Sequence, residues 1–144
     1  MTITRQWIPI SGLLATIAAA SYGVVHLDGQ AQSPTADFTK AASVQVKNAQ
    51  GQVVLQGEFQ AAVEEDGGLE RRAVLAPTGV DADAAGEAEV EFAKSGATRQ
   101  EVEFAVRNVE PGVIFTFVID GIDVASATSS QRGRAEVELD VRMP

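Results

Sequence analysis

From Asp37 onward the apolar residues of this chain recur at every second position, with polar residues between them. Side chains of an extended strand alternate between its two faces, so a period of two predicts β-strands with one buried and one solvated side. Val44 and Val46 mark a first strand over residues 43–47. After the turn 48–51, a second runs over 52–59 with Val53, Leu55 and Phe59 on one side, and the two are expected to form an opening hairpin. An acidic turn at 64–68 leads to a short strand at 72–75, and 77–86 reads as a long loop. Further strands are predicted over 87–93, 100–106, 113–119, 122–127 and 135–141. About eight short strands separated by turn signals predict an all-β fold, an antiparallel β-sandwich or a related barrel.

One hairpin can be placed in register. Asp120-Gly121 separates two apolar runs, and Asp-Gly suits a two-residue primed turn. That turn sets Ile119 opposite Ile122 and Phe117 opposite Val124, a core face shared with Val113 and Phe115. Thr116, Val118, Asp123 and Ala125 then fall on the other face. Pro111-Gly112 reads as the turn that precedes this hairpin. The six phenylalanines, Phe38, Phe59, Phe92, Phe104, Phe115 and Phe117, all lie in or beside strand-like runs and are expected in the core.

An acidic alternation occurs three times: Glu89-Val90-Glu91-Phe92, Glu101-Val102-Glu103-Phe104 and Glu136-Val137-Glu138-Leu139. Each copy turns its apolar residues inward and its carboxylates outward. Glu87 and Asp140 extend the row. If the first two copies pair about Gly96 with both apolar sets inside, Glu91 faces Glu101 and Glu89 faces Glu103, an arrangement of like charges that disfavours the pairing. Lys94 and Arg99 relieve it only in part. Such a face keeps a sheet soluble and blunts its edges. Alternatively it awaits a divalent cation, with Glu89, Glu91, Glu101, Glu103, Glu136 and Glu138 as candidate ligands for calcium, or a basic partner. A second acidic stretch, Asp81-Ala82-Asp83-Ala84-Ala85-Gly86, lacks a third acidic ligand at Ala85 and has Phe92 where a calcium loop needs a bidentate Glu.

The first quarter differs from the rest. Arg5 precedes an apolar run over 8–20, the layout of a secretory signal peptide, with Ala18 and Ala20 as a small-x-small cleavage site ahead of Ser21 and Gly29 with Ala31 as a second one. Left uncleaved, 8–25 forms a short anchor helix whose orientation, set by Arg5, still places the body outside. The expected division is therefore a signal peptide or membrane anchor over 1–27, a polar linker over 28–36, and one β-domain over 37–144. The chain has 20 acidic against 11 basic residues and a net charge of −9, so nucleic acid and anionic lipid are poor partners for the body. With no Cys, the body has to hold by burial alone, and a lipid attachment after the apolar run is excluded.

Composition also narrows the chemistry. Trp7, Tyr22 and His26 are the only residues of their kinds and all precede the body, so imidazole-based triads and His/Cys zinc sites lack their groups there. Two carboxylates would suffice for a glycosidase, but the usual Trp and Tyr sugar platforms are missing from the body. The basic doublet Arg71-Arg72 is expected to balance Glu64, Glu65, Asp66 and Glu70.

The stretch G-E-A-E-V-E-F, followed by R-Q-E-V-E-F-A-V-R-N-V-E-P-G-V-I-F-T-F-V-I-D-G and G-R-A-E-V-E-L, resembles small exported bacterial β-domains of uncharacterised function over residues 86–141. The resemblance carries no site residues across and implies an exported, all-β, non-catalytic module. The expectation is thus an extracytoplasmic module, periplasmic, secreted or anchored, with a binding or structural role and no obligatory cofactor. Its partner would be another protein, reached through a sheet edge or the acidic face. A divalent-cation-responsive domain is the alternative, and a carboxylate-based hydrolase the most remote one.

Overall fold

The computed structural model describes residues 35–144. The expected signal or anchor helix lies outside the described residues, as does all of the expected linker except Thr35 and Ala36. Among the described residues no helix is long and apolar enough to cross a membrane. Nine strands follow one another: β1 (Ser43–Lys47), β2 (Val53–Glu58), β3 (Val63–Glu65), β4 (Gly68–Pro77), β5 (Ala85–Ala93), β6 (Arg99–Arg107), β7 (Ile114–Ile119), β8 (Ile122–Thr128) and β9 (Arg134–Arg142). All pairings are antiparallel, in the order β8-β7-β1-β2-β4-β5-β6-β9, with β3 added to β4. The result is a nearly closed, barrel-like sheet.

Two halves make up this sheet. They join at a corner where β2 and β4 share only the pairs Leu55↔Pro77 and Gln56↔Ala76. Gly57 permits the close approach there, since a Cβ on it would lie 2.3 Å from the Val74 carbonyl oxygen. The alternation seen in the sequence fills the interior: Val44, Val46 and Leu55 from one half meet Val90, Val102, Phe104, Val137 and Val141 from the other, all at most 1 % exposed. Across the middle, Phe104 stacks on Phe117 with ring centroids 4.7 Å apart. Phe92 alone among the phenylalanines is only partly buried, packed against the edge of the core.

One end of the barrel is closed by residues 36–42. Gln100, 2 % exposed, accepts a hydrogen bond from the Phe38 N–H at 2.9 Å and donates to the Ala36 carbonyl. Arg71 points inward on β4, donates to the carbonyls of Thr39, Ala41, Phe59 and Gln60, and lies 5.6 Å over the Phe59 ring. The doublet expected to balance acids therefore splits: Arg71 serves main-chain carbonyls on one side of the strand, and only Arg72 meets carboxylates on the other.

Several expectations need correction. There are nine strands, because Asp66 (φ 47) and Gly67 (φ 84) form a tight turn between β3 and β4, and β4 begins at Gly68 instead of Arg72. Asp120 (φ 47) and Gly121 (φ 79) both take the positive φ of a primed turn, and Ile119 does face Ile122. A register break then adds Val124 as an extra residue, so Phe117 faces Ala125. Val118 is buried at 1 % and Ile122 is exposed at 47 %, the reverse of the expected faces.

Candidate functional site: a carboxylate face

Side-chain alternation on β4, β5, β6 and β9 puts two parallel rows of charged residues on the outer surface of the sheet. The first reads Glu70, Glu91, Glu101, Asp140 across the four strands, and the second Arg72, Glu89, Glu103, Glu138. A third row, Val74, Glu87, Ala105, Glu136, is half apolar or small. The expected pairs Glu91↔Glu101 and Glu89↔Glu103 are both present, formed about the turn that contains Gly96. Glu138 joins them opposite Glu103, whereas Glu136 faces Ala105 and stands apart from the cluster.

The expected pairing of Arg72 with Glu70 and Glu65 is present, but the sequence did not place Glu70 or Arg72 on this face. Glu70 lies on the outer face, yet its side chain is only 5 % exposed because Arg72 covers it. The Arg72 guanidinium contacts Glu70, with Nε 3.4 Å from Glu89 and Nη2 4.0 Å from Glu65. The hydrogen bond that Arg72 donates to Glu70 holds its guanidinium above the ordinary value. Arg72 is the protein's own demonstration of what this surface accepts: a cation set between carboxylates. The dipeptide Asp66-Gly67 was the signal that could have revealed it, since a hairpin there extends β4 back through Glu70.

Glu91 sits at the centre of the first row. Burial pushes its carboxyl up to about 8, helped by a hydrogen bond with Glu89 and by the negative charge of Glu89, Glu101 and Glu70. Glu101 is raised as well, by burial first and then by Glu138, Glu103, Asp140 and Glu89. At neutral pH Glu91 therefore keeps a proton. Carboxyl oxygens of Glu70, Glu89 and Glu91 all lie within 4.8 Å of one another, close enough to share one metal ion.

Beside this triad lies a groove of about 360 Å³, lined by Leu69, Phe92, Glu91, Glu101, Asp140 and Arg99 among others. Arg99 is held there by Asp140, to which its Nε donates at 2.8 Å. Lys94 pairs with Glu64 at 2.7 Å, so the basic groups near the β5–β6 turn engage the rim and leave the centre of the rows acidic. Asp81 and Asp83 take no part, because the stretch that holds them runs directly into β5. Chemically the face can bind cations, and Glu91 can give up a proton as it does so.

Compared with protein-family models, with curated proteins and with solved structures, the chain matches none.

Proposed function

We propose that the protein is a non-catalytic binding module, working outside the cytoplasm, whose carboxylate face takes the Lys or Arg side chains of a partner protein. The observation that carries this reading is the pair of rows Glu70-Glu91-Glu101-Asp140 and Glu89-Glu103-Glu138, fixed by continuous strand pairing and strained enough that Glu91 retains a proton. Like charges held side by side disfavour the empty surface, and an arriving cation relieves that penalty. The apolar run 8–20 behind Arg5 supports export.

Calorimetric titration of the full chain with pentalysine at low ionic strength is the test. Binding that weakens as salt is raised, and that weakens at least fivefold in the double variant Glu101→Gln/Glu103→Gln, supports the reading. Absence of binding, or equal binding by the double variant, overturns it.

A divalent-cation-responsive domain is the second reading, favoured by the 4.8 Å triad of Glu70, Glu89 and Glu91. It ranks below the first because Arg72 already occupies the space between Glu70 and Glu89 and an ion would have to displace it. A carboxylate hydrolase gains a shielded carboxyl in Glu91, but the groove beside it offers Phe92 as its only aromatic side chain.

A further inference from the structure

Among the described residues the main path of the barrel-like sheet ends at β8 and β9, and these two end strands do not pair with each other. Both strands leave a common turn, where the Ser130 N–H donates to the Arg134 carbonyl at 2.7 Å and the Gly133 N–H to the Ser130 carbonyl at 2.9 Å. Beyond it they form no ladder with each other, so each turns a row of main-chain N–H and C=O groups toward the seam. The two edges differ. The β8 edge carries a register break at Val124 beside the charge of Asp123, two devices that discourage pairing. By contrast, β9 is regular over every pair from Arg99↔Arg142 to Arg107↔Arg134. It is an unbroken template.

We propose that β9 accepts an additional strand from a partner protein, one whose side chains alternate between basic and apolar. The proposal rests on the reading of the carboxylate face as a surface for Lys and Arg, and specifies the form in which they arrive. Outward from β9 stand Glu136, Glu138 and Asp140, with Glu103 and Glu101 one strand behind them. A strand added at the usual spacing of about 4.8 Å places every second side chain directly against those acids, where opposite charges attract. Its other side chains turn to the inner face, on the side of the buried Val137 and Leu139, so they have to be apolar. Main-chain bonds supply affinity in this mode and the side-chain pattern supplies selectivity.

A second copy of the chain is the wrong occupant. Antiparallel pairing of two β9 strands about Glu138 sets Glu138 against Glu138, Glu136 against Asp140 and Arg134 against Arg142, so every charged pair in that register is of like sign. Parallel in-register pairing does the same.

The full chain is titrated with a nine-residue peptide alternating Lys and Val, and with the same peptide N-methylated along one edge, which keeps its charge but removes half its main-chain donors. The expected result is at least tenfold tighter binding of the unmodified peptide, with hydrogen-exchange protection gained by β9 amides between Ala135 and Val141. Glu138→Lys should weaken the Lys–Val peptide and strengthen a Glu–Val one. Equal affinity for the N-methylated peptide, or protection appearing on β8 instead, overturns strand addition while leaving the charge-based reading standing. If neither peptide binds at low salt, both ideas fail together.

Discussion

Phe104 on β6 and Phe117 on β7 stack at 4.7 Å with their planes inclined by 27°, and by this contact the two halves of the sheet grip each other through the core. No hydrogen-bond ladder joins β6 to β7. Phe104→Ala should therefore cost about 3–5 kcal/mol, since it leaves a cavity at the point where only packing holds the halves. Urea denaturation checks this, and Phe104→Leu should lose less than half as much.

Stability should fall as pH rises from about 4.5 toward 8. In this window folded Glu91 holds a proton that the unfolded chain has released, so raising the pH favours unfolding. Glu101 shifts in the same direction. Because the face is partly open to solvent, the loss should be on the order of 1–2 kcal/mol instead of the full linkage value. Urea midpoints at pH 5 and pH 8.5 measure it, and Glu91→Gln should flatten the difference. Asp37 acts oppositely at the acid end: Thr39 hydrogen bonds hold its carboxyl below the usual range, so its contribution disappears as pH drops through that lowered value.

Arg72→Ala uncovers a nearly buried Glu70 and should destabilise the fold by about 2 kcal/mol, with Arg72→Ala/Glu70→Gln recovering most of it. The same single variant frees carboxyl oxygens of the Glu70, Glu89 and Glu91 triad. Calcium should then bind the variant more tightly than the parent. Binding should also strengthen with pH through 8 as the Glu91 proton is lost. Calorimetry in two buffers of different ionisation heat reads both the affinity and the released proton.

Arg71→Met keeps much of the side-chain volume but removes the donors to Thr39, Ala41, Phe59 and Gln60. Those carbonyls close the barrel end. Local loosening should follow, seen as faster amide exchange over residues 38–42, with a stability loss of about 2–3 kcal/mol.

The β5–β6 hairpin was legible because two Glu-Val-Glu-Phe copies, both required to face inward, admit few registers. Asp120-Gly121 was legible because its turn type dictates those residues. Less visible was β3, since Val63, Glu64 and Glu65 are all exposed and show no alternation of burial. The start of β4 was obscured by Arg71, a charged residue on the inward side whose partners are carbonyls from a distant segment. Glu70, expected only as a partner of the basic doublet, was for the same reason not placed on the acidic face. The break at Val124 left no mark either, because Val and Ala are both at home on either side of such a bulge. Residues whose partners lie next to them in sequence could be read; those defined by a remote neighbour could not.

The placement of β1 between β2 and β7 has a consequence for how the molecule comes into being. Val44 cannot meet Ile119, nor Asp120 accept the N–H groups of Ala42 and Ser43, until more than two thirds of the polypeptide has been synthesised. Such late, distant closure makes for slow maturation and keeps a growing chain threadable. If the chain is exported as proposed, a translocation channel, which admits only extended polypeptide, would meet it before it had locked.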